Sequence, residues 1–445
     1  MKKPFKLLVL TTALAGMLSI SAFASNFDHC ADALHEMGLF QGTSTGYDLD
    51  RAPTRAEASA MLVRLLGQEE AAQALTYTAP FTDVLDWAKP YVQYLYENGL
   101  ANGKSETDFG ASDPCTAQQY ATFLMRALGY SDTDGDFTYT DALDFAAEKG
   151  VVNPYNCDVS NFLRDDVVAM SYTALSVAPK SGETDLLTKL VDEGAVADTH
   201  GYDQLFAEYR TYLQAVNSDE SYSHMVMDLD LTSDLAGAKF MDMTMNMDIA
   251  IEPNEEHLDQ SKLAMTGDFT ATVNEAYVED PAEAKMQQTF HYYYTDGAFY
   301  MDMAGEKYTM PLSFEDAMSQ MDLSAATASS SDPLCLLTGL SSQKNGNTTV
   351  YTVEYAPGAV NSILDMVADM GLSAAGVEDM QCTITSCKIT VTNGVLTAMD
   401  ATVDLSTQIE GVEMTMTMDM DVKMDNDAVT VKLPDDLSSY QPFTA

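Results

Sequence analysis

Apolar residues over the first 180 or so positions recur at helical spacing, whereas from about residue 225 they alternate one by one. The chain therefore reads as a helical half followed by a half built of strands. The clearest helical stretch is Phe81 to Gly103, in which Val84, Trp87, Ala88, Tyr91, Val92, Tyr94, Leu95 and Tyr96 fall mostly at helical spacing. Asp83 is expected to cap this helix by accepting first-turn N–H groups, and Gly99 to end it in left-handed backbone. A second helix is expected from Thr116-Ala117-Gln118-Gln119, where Thr and Gln three apart can close a capping box, to Leu128-Gly129. Helix, glycine turn, loop and helix make one unit.

That unit recurs. Upstream, Ala31 to Gly42 matches the end of the first helix, and Thr54-Arg55-Ala56-Glu57 opens a helix ending at Leu66-Gly67. Downstream, Asp141-Ala142-Leu143-Asp144-Phe145-Ala146 echoes Asp83-Val84-Leu85-Asp86-Trp87-Ala88, and a further helix starts near Leu163-Arg164-Asp165-Asp166. Three copies of a helical hairpin are expected at about 27–67, 81–129 and 137–178. A linker is expected over 181–201, with a short helical stretch from Leu186 to Val191, and then a helix from Tyr202 to Val216.

Beyond it the period becomes 2. Met225, Met227, Leu229 and Leu231 alternate with mostly polar residues, as do Met241 to Ile251, Leu263 to Val273 and Val412 to Val422, each reading as a half-buried antiparallel strand. Asp296-Gly297 and Asn393-Gly394 mark hairpins. Val350 to Tyr355 and Val429 to Leu433 are expected strands, the latter closing the sheet; 312–340 reads as helical and loop insertions and Ala359 to Met370 as a helix. The second domain, 202–435 before a tail at 436–445, is expected to be α+β, a large curved antiparallel sheet with covering helices.

The helical copies resemble a known family. Phe-x-Asp-Val-x-x-Trp-Ala at 81–88, the Gly-Leu-x-x-Gly turn at 99–103, and Thr54-Arg55-Ala56-Glu57 opening a helix that ends Arg64-Leu65-Leu66-Gly67 are similar to the S-layer homology repeat. Copy two reads Thr-Ala-Gln-Gln at the arginine motif, and copy three Leu-Arg-Asp-Asp. The resemblance implies an all-α module of three repeats that holds an exported protein to an anionic cell-wall glycan in grooves between repeats. It assigns glycan-binding roles to Arg55, Asp83 and Trp87, with Arg164 and Asp141 as the weaker matches. In the second half, the leading helix, the Ser-Tyr-Ser-His-Met-Val-Met-Asp-Leu strand and the Tyr-Tyr-Thr-Asp-Gly-Ala-Phe-Tyr-Met hairpin resemble the half-barrel fold of bacterial lipoprotein carriers, which implies an apolar or lipid ligand on the concave face.

Charge and composition narrow the function. The formal net charge of the 445 residues is −46, which disfavours a nucleic-acid partner, because phosphate neutralisation needs basic surface. Lys2, Lys3 and Lys6 before the apolar run Leu7 to Ile20, with Ala22-Phe23-Ala24 after it, read as a secretory signal peptide over 1–24. The later sequence has no run of the ~20 apolar residues that a membrane span needs. Of the six arginines, Arg51, Arg55, Arg64, Arg126 and Arg164 lie in the helical copies, and paired guanidinium donors suit an acidic glycan. The capping box of Thr54 and Glu57 needs no ligand, but neither capping nor packing calls for a guanidinium at 55.

Methionine is concentrated in the strands, 22 of 28 lying between Met225 and Met424. Alternation alone explains most of them as core, with an adaptable apolar surface or thioether-bound Cu(I) as lesser alternatives. Six cysteines, three per half, allow disulfides in an exported chain. Cys382 and Cys387, five apart on one expected strand and on opposite faces, cannot pair with each other. The Ser131-Asp132-Thr133-Asp134-Gly135-Asp136 segment reads as a connector rather than a calcium loop. The six histidines have no metal spacing, no nucleophile or phosphate-loop motif occurs, and no cofactor is implied. The expectation is a noncatalytic surface protein.

Overall fold

A computed structural model describes residues 27–443 except 44–45, 154–155, 183, 217–221, 255, 279, 304, 321–332, 358–376, 410 and 428. The expected signal peptide, part of the 312–340 insertion and the 359–370 helix lie outside the described residues. The chain divides into two units: Ala22–Arg210 with Asp332–Thr338, and Thr211–Ser331 with Gly339–Ala445.

The first unit is helical. Its helices are α1 (Asp28–Glu36), α2 (Arg55–Leu65), α3 (Glu69–Gln73), α4 (Lys89–Glu97), α5 (Ala117–Ala127), α6 (Ala142–Glu148), α7 (Arg164–Leu175), α8 (Leu186–Asp192) and the first part of α9 (Tyr202–Val216). Helices α2, α5 and α7 touch one another, and their side chains, Leu62, Phe123 and Met170 among them, are buried almost completely. The remaining pairings run cyclically: α4 packs on α2, α6 on α5, and α1 on α7, so the last helical hairpin is completed by the first helix.

Local chemistry sets the helix starts. Thr54 accepts from Glu57 N while the Glu57 carboxylate accepts from Thr54 N at 2.8 Å, and Thr116 and Gln119 repeat the arrangement. The expectation that Asp83 caps the following helix is corrected. That helix begins six residues later at Lys89, where Pro90 fits the first turn, and Asp83 instead accepts from the loop amides of Phe109 and Ala111. Gly99 does end α4, in left-handed backbone at φ 68°.

The second unit carries a twelve-stranded sheet in the order β12-β6-β5-β4-β3-β2-β1-β11-β10-β9-β8-β7. In chain order the strands are β1 (His224–Leu235), β2 (Ala238–Glu252), β3 (Lys262–Val273), β4 (Lys285–Thr295), β5 (Ala298–Met303), β6 (Glu306–Pro311), β7 (Leu337–Asn345), β8 (Thr348–Tyr355), β9 (Val377–Thr392), β10 (Val395–Ile409), β11 (Val412–Asp425) and β12 (Gln441–Pro442). The registered pairs are antiparallel apart from the short β12, which runs parallel to β6. Residues 429–433 are not a strand, contrary to expectation; residues 441–442 flank β6 instead. Positive φ at Asp296-Gly297 and Asn393-Gly394 turns the expected hairpins.

Alternation places one face inside. Met241, Met243, Met245, Met247, Met414, Met416 and Met418 are each at most 9% exposed. Cys382 and Cys387 both belong to this buried set, which corrects their expected placement on opposite faces. The register between β9 and β10 shifts at Ile384 and Ser386, and one extra residue in a strand turns the following side chain back to the same face. The opposite face is acidic: Asp268, Asn246, Asp228, Asp421 and Asp400 sit in one transverse row over β3, β2, β1, β11 and β10.

Candidate functional site

The first turn of α2 is built into a neighbouring loop. Arg55 N bonds Asp113 O at 2.8 Å, Ala56 N bonds Ala111 O at 3.0 Å, and Cys115 N bonds Pro53 O at 2.8 Å. This pairing carries the Arg55 side chain inward. Its Nε donates to Phe109 O at 3.1 Å and its Nη2 to Asn102 O at 2.7 Å, while the guanidinium lies 4.9 Å from the Phe109 ring centroid and 4.8 Å from that of Phe123. Arg55 is only 6% exposed, and burial lowers its pKa. Among the described residues, Nη1 is the guanidinium nitrogen of Arg55 without a hydrogen-bond partner.

Asp83 holds the same loop from the other side. Its carboxylate accepts from Phe109 N at 2.8 Å and Ala111 N at 2.7 Å. Partial desolvation opposes ionisation, but the Ala111 and Phe109 amides outweigh it and hold the carboxyl below its usual range. Arg55 and Asp83 therefore converge on the peptide groups of Phe109. Two residues stand close enough to act on the Arg55 charge: Tyr139, 49% exposed and not singled out from sequence, and Arg126, clamped by Asp132 through bonds of 2.9 and 2.6 Å. Their proximity depends on residues 71 and more positions apart along the chain, a separation with no local pattern to reveal it.

Arg164 repeats the arrangement at the start of α7. Its backbone N bonds Arg51 O at 3.0 Å, Asp165 N bonds Leu49 O at 3.1 Å, and its Nε donates to Tyr47 O at 3.1 Å. The guanidinium faces the Phe40 ring and touches Met61 Sδ at 3.7 Å, leaving Arg164 4% exposed. Beside it, Glu57 is held at about 2: desolvation would raise it, but two bonds from Arg51 and one from Thr54 N dominate. Ala117 occupies the matching position at the start of α5.

The other expected residues make no hydrogen bond to these guanidinium groups among the described residues. Trp87 precedes α4 and is 49% exposed, so it is surface rather than core. Asp141 is exposed and accepts from Thr138 N and Oγ1, closing a single turn over Tyr139–Asp141. The acidic connector likewise has protein partners: Asp132 on Arg126, and Asp136 on Lys180 and Ser131 N. Among the described residues there is no group of three or more His, Cys, Asp or Glu that could hold a metal ion, and no helix long and apolar enough to cross a membrane.

The loop that Arg55 and Asp83 grip lies inside residues 80–121, and that span matches the family model of the S-layer homology domain. These residues are an S-layer homology domain. Similar proteins include the middle cell wall protein of Brevibacillus brevis, 25% identical over 185 residues, 38% of this chain and 18% of the relative. The surface layer protein of Brevibacillus choshinensis is 28% identical over 136 residues, 27% of this chain and 12% of the relative. An endoglucanase of a Bacillus species is 33% identical over 102 residues, 23% of this chain and 10% of that enzyme. The chain thus spans less than a fifth of the length of these relatives. The S-layer homology domain and its surface-layer and cell-wall relatives make this a secreted cell-surface protein. Among solved structures, LprF of Mycobacterium bovis overlaps 52% of this chain and 96% of its own at 7% identity and a TM-score of 0.20, a level that fixes neither a fold nor a ligand.

Proposed function

We propose that the helical unit is a set of three S-layer homology repeats that anchors the protein, without catalysis, to an anionic cell-wall glycan. The observation that carries this reading is the paired placement of Arg55 and Arg164. Each begins a central helix, Arg55 is oriented by two loop carbonyls and Arg164 by one with the Met61 sulfur, and each keeps one guanidinium nitrogen without a protein partner among the described residues. An acidic group on the glycan supplies the acceptor that nitrogen lacks. Tyr139 offers an exposed ring for a sugar face, while Asp83 fixes the loop. Trp87 and Asp141 are peripheral contacts in this reading.

Sedimentation with purified cell walls tests it. Arg55→Lys keeps the charge but not the fork, and is expected to weaken wall binding about tenfold, while Arg126→Ala leaves it within about twofold. Equal losses, with both variants folded by circular dichroism, count against the groove. Walls stripped of acidic substituents should retain little protein.

For the β unit, the burial of Met243, Met245, Met416 and Met418 favours a filled core that displays or spaces over a half-barrel that carries an apolar or lipid cargo. Lipid extraction with mass spectrometry, and uptake of an apolar dye, separate the two: copurifying lipid or dye uptake supports the carrier.

A further inference from the structure

The helical unit contains one piece of the distant half of the chain. Residues Leu334–Leu336 form a single turn whose Leu334 and Cys335 are wholly buried, with Leu337 following them inside. The turn is held by polar contacts: Leu334 N donates to Tyr209 Oη at 3.1 Å, and Cys335 O accepts from His29 Nε2 at 2.8 Å. Cys30 joins the same point, its Sγ donating to Cys335 O at 3.6 Å and lying 3.4 Å from His29 Nε2. Two buried cysteines 305 positions apart thus meet, the Cys30 thiol resting on the Cys335 carbonyl.

We propose that Cys30 and Cys335 are a disulfide-forming pair that locks the Leu334–Leu337 segment into the helical unit. The Cys30 sulfur already touches the backbone of Cys335, and joining the two sulfurs requires the Cys335 side chain, which now faces Thr173, to rotate toward Cys30. The other cysteines lie in separate surroundings: Cys115 beside Arg55, Cys157 beside Asp166 and Asp158, and Cys382 and Cys387 on β9. The cell surface is a compartment where disulfides persist.

The oxidant is a disulfide, either low-molecular-weight or on a thiol oxidase. The Cys30 thiolate attacks it, forming a mixed disulfide and releasing one thiol. The Cys335 thiolate then attacks the Cys30 sulfur, and the second thiol leaves. Two electrons and two protons pass to the oxidant in all. Burial pushes the Cys335 thiol up to about 12 and raises the Cys30 thiol well above its ordinary value, which leaves both unreactive once docked, so exchange takes place as the segment enters or transiently leaves its pocket.

The test uses the full chain, reduced and then exposed to oxidised glutathione. After denaturation and blocking with iodoacetamide without reduction, mass spectrometry of a digest is expected to find a peptide joining Cys30 to Cys335. The thermal midpoint of the oxidised chain should rise by about 5 °C, reversibly with dithiothreitol, because the cross-link closes a long loop. Cys30→Ser and Cys335→Ser should each abolish both effects. Recovery of both cysteines as alkylated thiols, or of Cys30 linked to a different cysteine, overturns the proposal, and this readout on the unaltered chain does not depend on whether a variant folds.

Discussion

Lowering the pH from 8 to 5 is expected to stabilise the helical unit through one buried carboxyl. Asp165, the second residue of α7, accepts from Phe27 N at 2.8 Å and so joins that helix to the start of α1. Burial raises its pKa to about 7 despite the Phe27 bond, with Asp166 and Asp28 adding to the rise. In the unfolded chain an aspartate titrates near 4. Between these values the folded state holds more protons, so stability is lowest above pH 7 and grows as the pH falls toward 4. At ~1.4 kcal/mol per unit the full difference is about 4 kcal/mol, and about 2 kcal/mol is a sounder expectation for a carboxyl that keeps some contact with water. Asp166, raised to about 6 by burial, acts in the same direction. His29 opposes it: burial lowers its pKa, so its share of stability is lost as the pH falls below about 6.5. Glu57, held at about 2, opposes only below about 4.5. The discriminating variant is Asp165→Asn, whose amide oxygen can still accept from Phe27 N. Urea unfolding followed at 222 nm should show it about 2 kcal/mol more stable than the unaltered chain at pH 8 and nearly equal to it at pH 4.5. A variant less stable at pH 8, or a gain of the same size at both pH values, would refute the reasoning.

Three further outcomes are expected. Added salt should stabilise the β unit, since Asp228, Asp421 and Asp400 stand side by side on paired strands, and Asp400→Asn should raise its stability by about 0.5–1 kcal/mol while flattening the salt dependence. Gly267→Ala should cost about 1–3 kcal/mol in denaturant unfolding, because a methyl there would come within 2.2 Å of the Phe290 ring on β4. Trp87→Ala should leave unfolding stability within about 0.5 kcal/mol, as expected of a half-exposed surface ring, and a larger loss would place it in the core.

What could be read from sequence was what is local. The capping boxes at Thr54 and Thr116 span three residues and the strand alternation two, so both were visible along the chain. Asp83 looked like a cap because an aspartate before an apolar run usually is one. Its partners, Phe109 and Ala111, lie 26 and 28 positions away. The inward turn of Arg55 depends in the same way on Phe109 and Phe123, and the tilt of Cys382 and Cys387 to one face on a register shift with no marker residue. Least visible was the burial of Leu334–Leu337 in the helical unit, because the residues that receive it, Tyr209, Cys30 and His29 among them, lie 125 to 306 positions earlier.

The cyclic packing of α4 on α2, α6 on α5 and α1 on α7 changes what the loss of one hairpin would do. In a linear stack, an end member can be trimmed and only its single neighbour notices. Here there is no end member. Removing α1 strips the partner from α7, at the far end of the sequence, so trimming from the amino terminus should be felt first by the third hairpin and not by the second.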